Sequence, residues 1–286
     1  MSAATINPKA LQHDAEVISN KRVGAYHHIV LAVNELASSC RPGNFVAISV
    51  GGESSSWVLR RAFAIYRAHI RPDGQGLLEL VVAPHGAGSK WLCSRTTGER
   101  VNVIAPLGKA FGIPTEPVRA LLIGGGYGSA PLFSLAEALK AKGCRVDMIL
   151  GASTAGKIYA PLEGKRSVNS MTITTDDGSA GIAGRVSDVL PEMIKENGIE
   201  IIYSCGPMAM LEAITDIAKN FGVVHQCSVE ESMACGIGVC MTCVLPIEDD
   251  EGVMRMTRTC IDGPVMDGYK VHWKKSREVP VGVWGK

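Results

Sequence analysis

Apolar residues come first in short runs and alternations: Tyr26 to Val33, Asn44 to Val50, Ala62 to Ala68, Leu77 to Val82 and Arg100 to Ile104. Turn formers separate them at Arg41-Pro42-Gly43, Gly51-Gly52, Pro72-Asp73-Gly74 and Gly86-Ala87-Gly88. Strands at that spacing predict a small antiparallel barrel or sandwich, each strand burying alternate side chains before a tight turn returns the chain beside it. One helix fits this stretch, Ser89 to Arg95. Thr115-Glu116-Pro117 breaks the pattern. Beyond it, aliphatic runs (Arg119 to Ile123, Val146 to Leu150, Val168 to Thr174, Ile199 to Ser204) alternate with helical periods (Pro131 to Lys142, Val186 to Glu196, Met208 to Asn220). Gly143 is placed to end the first of these helices. In the last, Met208, Leu211, Ile214, Ile217 and Ala218 share a face. Strand–helix alternation with aliphatic strands predicts a parallel α/β sheet, whose strands are covered on both faces. From Gly222 onward helical periodicity fades. The pattern divides the chain into residues 1–116, 117–221 and 222–286, with no internal repeat and no low-complexity tract.

Composition sharpens this. The 286 residues carry 29 Lys and Arg against 28 Asp and Glu, a formal charge of +1. Near-neutrality argues against a nucleic-acid binder, which needs a basic excess to displace counterions. At 46% hydrophobic and 20% charged residues the chain can bury real cores, and at 5% aromatic those cores must be mainly aliphatic. No run of about 18 apolar residues is present, so no membrane span is expected. The first residues include Lys9, Asp14 and Glu16 without an apolar stretch, so no signal peptide is expected and a cytoplasmic protein is. Two counts stand out: 32 Gly and an odd 9 Cys. An odd count in a long chain does not fit a disulfide scaffold and points to a reducing compartment, with some thiols holding metal.

Cys235, Cys240, Cys243 and Cys260 form C-x4-C-x2-C-x16-C, the spacing of plant-type [2Fe–2S] centres. Four thiolates must converge on two irons while one loop wraps them closely. Gly236 and Gly238 fall where that loop has to turn sharply and aim N–H groups at sulfur. The alternative is a structural zinc site, which usually pairs two short Cys knuckles. Cys40, Cys93, Cys144 and Cys227 read as small buried hydrophobes.

Leu121-Leu122-Ile123 runs into Gly124-Gly125-Gly126-Tyr127-Gly128-Ser129-Ala130-Pro131. A strand, a glycine turn and a helix start make an anion site, because backbone N–H groups and the helix dipole face the ligand. A purely structural turn is the alternative. Gly126-x-Gly128 matches the start of the dinucleotide fingerprint, with Pro131 in place of its third Gly. Cys205-Gly206-Pro207-Met208 is a second turn of this kind. In a parallel sheet both would lie along the edge where ligands bind. Ser153 and Lys157 follow the second strand without a clear acidic partner for a ribose, so the residues leave NAD and NADP open.

These motifs resemble those of the ferredoxin–NADP reductase superfamily: Arg61-Ala62-Phe63-Ala64 for flavin, Gly126 to Pro131 for pyridine nucleotide, and Cys205-Gly206 near the nicotinamide. The cysteine segment, Thr175-Asp176-Asp177-Gly178-Ser179, Met233 to Gly238 and Thr259 to Val265 narrow the resemblance to the electron-transfer subunits of type 1B dihydroorotate dehydrogenase. It implies an FAD-binding antiparallel β-barrel, a parallel α/β nicotinamide-binding domain and a small [2Fe–2S] domain. FAD would lie on Arg61, Ala62, Phe63 and Ala64, with Arg61 on the pyrophosphate; a solvated strand charge is the alternative for Arg61. Val81, Val82 and Ala83 would line the flavin, and Gly88 and Ser89 would meet phosphate. NAD would lie on Gly124, Gly125, Gly126, Gly128, Pro131, Cys205, Gly206, Pro207 and Met208, with Cys205 positioning the nicotinamide. Ala64 replaces the family's Ser or Thr, which puts the redox tuning of that hydroxyl in doubt. The resemblance further implies a catalytic, FMN-containing dihydroorotate dehydrogenase partner, two plus two chains in a heterotetramer, in pyrimidine biosynthesis. A barrel of about 250 residues that such chemistry uses does not fit in this chain. Met233, Ile237, Val239 and Met241 would form the docking rim, or simply cover the cluster. A related subunit serving ferredoxin or a hydrogenase, and a zinc-stabilised scaffold, are the alternatives.

Overall fold

The computed structural model describes residues 10–52 and 55–273. Six antiparallel strands close into a barrel in the order β1-β2-β5-β4-β3-β6. They are β1 (Leu11–Val23), β2 (Tyr26–Ala32), β3 (Phe45–Ile48), β4 (Arg61–Ile70), β5 (Gly76–Val82) and β6 (Arg100–Leu107), with short helices α1 (Leu36–Ser39) and α2 (Ala87–Cys93) between them. Closure leaves no free edge. Alternation fills the interior with Val17, Ile29, Leu31, Ile48, Leu78, Leu80 and Val103, all sealed from solvent. The hydrophobic pattern does not reveal β1. Its only fully buried side chains are Ala15 and Val17, set among polar residues.

The second sheet has seven strands in the order β10-β9-β8-β7-β11-β12-β15. In chain order its elements are β7 (Arg119–Gly125), α3 (Ala130–Ala141), β8 (Arg145–Ala152), α4 (Pro161–Ser167), β9 (Ser170–Thr175), β10 (Ile182–Ala183), α5 (Val186–Asn197), β11 (Ile201–Cys205), α6 (Met208–Phe221) and β12 (Val224–Ser228). They are followed by a two-stranded hairpin of β13 (Val244–Glu248) and β14 (Met254–Arg258), then α7 (Thr259–Asp262) and β15 (Val265–Asp267). All pairings in the seven-stranded sheet are parallel except β12 with β15. The sheet thus continues past residue 221 into the segment that the hydrophobic pattern set apart. β12 buries His225 and Ser228 beside Cys227, a set that does not read as a core strand.

His225 shows how that strand is accommodated. Its ring lies between Ser204 Oγ at 2.7 Å and Thr215 Oγ1 at 3.0 Å. The Thr215 hydroxyl already donates to the Leu211 carbonyl. Nδ1 must therefore donate to Thr215, and Nε2 accepts from Ser204. A neutral tautomer is fixed, and burial pushes the imidazole down to about 3 from 6.5. The unfolded chain binds this proton first. Stability is therefore complete above about pH 6.5 and falls as the pH drops toward 3, by up to ~1.4 kcal/mol per pH unit. Denaturation titrations near neutral pH and near pH 5 are expected to show the loss, and His225→Gln to flatten it.

Four aromatic residues, Tyr26, Tyr66, Phe133 and Tyr159, gather where barrel and α/β unit meet. Tyr66 stands edge-on to Phe133 and to Tyr159, each at 5.6 Å. Tyr66 donates to Glu163 at 2.5 Å, Arg67 pairs with Glu137 and Glu163, and Tyr26 donates to the Lys157 carbonyl at 2.8 Å. This seam fixes the two units relative to each other, and so fixes the crevice between them.

Candidate functional site

A crevice of about 1040 Å³ runs between the barrel and the carboxyl ends of the parallel strands. Single small-molecule sites usually span about 300–1,000 Å³, so this one is large for a single ligand. Its barrel wall is Arg61 to Ala64 on β4, Val81 and Ala83 around the end of β5, and Gly88 and Ser89 in α2. Its other wall is Gly125, Gly126 and Gly128 after β7, and Cys205, Gly206 and Pro207 after β11. The two groups of motif residues, far apart in sequence, therefore face each other. Four expected residues do not face the crevice. Val82 alternates into the barrel interior. Gly124 is buried behind the turn, Pro131 is buried in α3, and Met208 packs beneath α6 with Leu211 and Cys227.

Arg61 differs sharply from its neighbour. The Arg60 guanidinium is tied to the Asn102 carbonyl at 3.0 Å and to its side chain at 2.5 Å. Arg61 touches only main-chain carbonyls of Leu59 and Arg60, and its stem lies on Gly88, where a Cβ would come within 2.9 Å of Nε. Among the described residues it has no carboxylate partner. A guanidinium laid along a crevice wall without an acid suits a diphosphate.

The two glycine turns touch each other. A Cβ on Gly128 would lie 2.8 Å from the Gly206 Cα and 2.9 Å from the Cys205 carbonyl oxygen. Gly128 is thus required first for turn-on-turn packing, a signal that a phosphate motif alone does not carry. Burial pushes the Cys205 thiol up to about 12, although the Ser228 side chain bonds to it. It stays neutral, which fits a contact role and not a nucleophilic one. Hydrophobic patterning also misses Tyr127 and Glu230. The Tyr127 hydroxyl donates to the Glu230 carboxylate at 2.5 Å, and its ring tilts against His85 and Tyr26. All four residues line the crevice beside Cys205. Only their three-dimensional convergence marks them.

The four motif cysteines stand in two pairs. Cys240 is within hydrogen-bond reach of Cys235, and Cys260 of Cys243. The Val239 N–H donates to Cys235 Sγ at 3.3 Å. The Gly238 backbone reaches Cys260. Hydrogen bonds from Thr242 and neighbouring backbone hold the Cys240 thiol down, at about 6. Among the described residues no three His, Cys, Asp or Glu side chains converge on one ion. Two adjoining thiol pairs ringed by N–H donors match a binuclear cluster, in which each iron takes two cysteines, better than a single tetrahedral zinc. Gly238 has φ +82°, and a Cβ there would strike Ile261 at 1.7 Å, so the loop closes tightly over the fourth ligand. Cys243 and Cys260 pack with Phe45, Ala47 and Leu107 of the barrel, against Ala62 and Met233. Phe45, Ala62 and Met233 also line the crevice, so one layer of side chains separates Cys243 and Cys260 from it. Of the other cysteines, Cys144 and Cys227 are buried and Cys40 and Cys93 pack against the barrel core.

Residues 230–272 match the family description "Iron-sulfur cluster binding domain of dihydroorotate dehydrogenase B", and residues 122–216 match "Oxidoreductase NAD-binding domain". The chain is 35% identical over 249 residues to the dihydroorotate dehydrogenase B (NAD(+)) electron transfer subunit of Geobacillus thermodenitrificans, covering 86% of this chain and 92% of that protein. It is 36% identical over 233 residues to the subunit of the same description from Bacillus caldolyticus, covering 81% and 86%. Among solved structures it is similar to an NADH-dependent reduced ferredoxin–NADP oxidoreductase studied for flavin-based electron bifurcation. There the TM-score is 0.80 at 27% identity, over 96% of this chain and 93% of that one.

Proposed function

The chain belongs to the family of dihydroorotate dehydrogenase B electron transfer subunits, and from that premise we propose that it passes electrons between a dihydroorotate-oxidising, FMN-containing partner and NAD in pyrimidine biosynthesis. It is an oxidoreductase subunit that uses FAD, a [2Fe–2S] cluster and NAD. One observation carries the assignment of roles: Cys243 and Cys260 of the motif share Phe45, Ala62 and Met233 with the crevice as a common wall.

A flavin exchanges electrons in pairs with nicotinamide and singly with an iron–sulfur centre, which is why such a subunit needs all three groups. The chain's own residues supply position. Arg61, with Gly88 and Ser89, would hold the FAD diphosphate. Ala62 to Ala64, Val81 and Ala83 would seat the flavin ring. Gly125, Gly126 and Gly128 would take the NAD pyrophosphate, and Cys205 to Pro207 would set the nicotinamide against the flavin. No side chain needs to move a proton for hydride transfer, and Cys205, held neutral, would act by contact. Ala64 leaves flavin contacts at this point to the backbone. Cys235, Cys240, Cys243 and Cys260 would hold the cluster. Beyond it Ile237, Val239 and Met241 are exposed, Val239 at 76%. That apolar rim suits docking of the FMN subunit, and a heterotetramer of two plus two chains is the assembly we expect. No helix among the described residues is long and apolar enough to cross a membrane, and we place the complex in the cytoplasm. The three units divide the labour: barrel for FAD, α/β sheet for NAD, cysteine segment for the cluster.

The test is spectroscopic. The purified protein is expected to be yellow-brown, with about one FAD and two irons per chain, and to be bleached by NADH. A colourless, zinc-loaded protein would overturn the reading.

A further inference from the structure

Tyr127 and Glu230 line the crevice but have no part in the scheme so far. The strand register locates their contact. Gly124 of β7, Cys205 of β11 and Ser228 of β12 stand side by side in one row across the sheet. Tyr127 lies three residues beyond that row after β7, and Glu230 lies two residues beyond it after β12. β11 runs between them. Neighbouring strands are about 4.8 Å apart, so β7 and β12 are separated by about 10 Å. Even so, the Tyr127 hydroxyl donates to the Glu230 carboxylate at 2.5 Å. The bond therefore closes over the carboxyl end of β11, where Cys205 stands. The electrostatics agree. After burial, the Glu230 charge raises the Cys205 thiol, and Cys205 in turn adds to the rise of the Tyr127 hydroxyl that burial and the Glu230 bond produce. The phenol stays protonated and remains a donor.

A second, independent observation concerns the ring. It reaches the barrel wall as well, with its centroid 5.9 Å from that of His85, after β5, and 6.4 Å from that of Tyr26, at the start of β2. Val81 and Ala83, where the flavin ring would sit, belong to the same end of β5. One side chain, rooted on the pyrophosphate turn, thus touches the barrel with its ring and the end of β12 with its hydroxyl. It lies between the flavin seat and Cys205.

A nicotinamide ring that meets the flavin beside Cys205 needs that same place. We propose that Tyr127 is a strap across the nicotinamide seat, latched by Glu230, and that the nicotinamide must unlatch it to reach the flavin. The proposal rests on the reading of the crevice as a pyridine-nucleotide site.

The surroundings allow the movement. Tyr127 is 39% exposed, so its ring can turn outward into solvent about its own side-chain bonds. The turn itself stays in place, because Gly128 is wedged against the Gly206 Cα and the Cys205 carbonyl. Only one half of the ligand meets the strap. A pyrophosphate on the β7 turn leaves Tyr127 where it is, and a nicotinamide at Cys205 displaces it. When the binding-competent state is only fractionally populated, apparent affinity falls by that fraction. The latch therefore weakens binding of the nicotinamide half alone, and its closing helps that half to leave.

The experiment uses the full chain carrying its FAD and cluster, with NAD+ and ADP-ribose titrated by calorimetry. ADP-ribose has every group of NAD+ except the nicotinamide and serves as the ligand that does not move the strap. Tyr127→Phe keeps the ring and removes the latch, and Tyr127→Ala removes both. A hydrogen bond to a charged group shifts an equilibrium by about 10–100-fold. NAD+ is accordingly expected to bind about tenfold tighter to Tyr127→Phe and about 10–100-fold tighter to Tyr127→Ala, while ADP-ribose stays within about twofold of the parent. Dissociation of NAD+, followed by stopped flow, should slow in step. An NAD+-to-ADP-ribose affinity ratio that stays within about twofold of the parent in both variants would overturn the strap and leave the nucleotide site standing. A fall in that ratio would overturn it too, since Tyr127 would then support the nicotinamide. A parent protein that binds neither ligand would overturn the nucleotide site, and the proposal with it.

Discussion

Cys240→Ser is expected to remove the iron–sulfur absorption and to slow electron transfer to or from the FMN partner by about 10³-fold or more, with FAD content unchanged. Even changes beside a metal ligand commonly cost about 10–100-fold in metal affinity, and loss of a ligand costs more. Serine oxygen is a harder, more weakly acidic donor than thiolate and is a much poorer ligand for the iron of such a cluster. Cys240 suits the test because its side chain is exposed. Its replacement opens no core, whereas Cys243 and Cys260 are each about 2% exposed and support the barrel contact. NADH oxidation with an artificial two-electron acceptor needs only the crevice, and should stay within about threefold of the parent rate. The measurements are visible and paramagnetic spectra, iron content, and the two activities side by side. If both activities fall together, the cysteine loop serves the crevice as a scaffold. If neither falls, these cysteines do not carry the electrons.

The sequence reveals this site in proportion to how local its chemistry is. A thiolate cluster needs its ligands on one loop, so C-x4-C-x2-C with a distant fourth Cys marks the cluster by spacing alone. A phosphate turn is equally local, and the β7 turn is legible for that reason. Two features need the fold. Tyr127 and Glu230 are 103 positions apart and meet only because β12 lies beyond β11 in the sheet. The seam of Tyr26, Tyr66, Phe133 and Tyr159 draws on separate stretches of chain. The missed elements follow the same logic. β1 buries only two small or medium apolar side chains, Ala15 and Val17, and β12 buries His225 and Ser228 beside Cys227, and hydrophobic pattern identifies a strand only where one face is plainly apolar.

Gly128→Val is expected to slow flavin reduction by NADH about 10²–10³-fold while FAD and the cluster stay in place. The argument is steric. A single Cβ already falls 2.8 Å from the Gly206 Cα and 2.9 Å from the Cys205 carbonyl oxygen, and both of those atoms are backbone. No side chain can swing away, so the β7 and β11 turns must separate. They also cannot share the strain with the sheet, because β7 and β11 are paired along Ala120 to Gly124 and Ile201 to Cys205. The displacement therefore falls on Cys205 to Pro207, the segment that would hold the nicotinamide. A misplacement of about 1 Å can cost about 10²-fold, because hydride transfer depends steeply on approach. Gly128→Ala should show a smaller loss of the same kind. Arg61, Gly88 and the four cluster cysteines lie on other elements, so flavin content and the iron–sulfur spectrum serve as internal controls. Stopped-flow bleaching of the flavin by NADH measures the effect. A normal bleaching rate in Gly128→Val would mean that the two turns can part without disturbing the nicotinamide, and that Cys205 does not set its place.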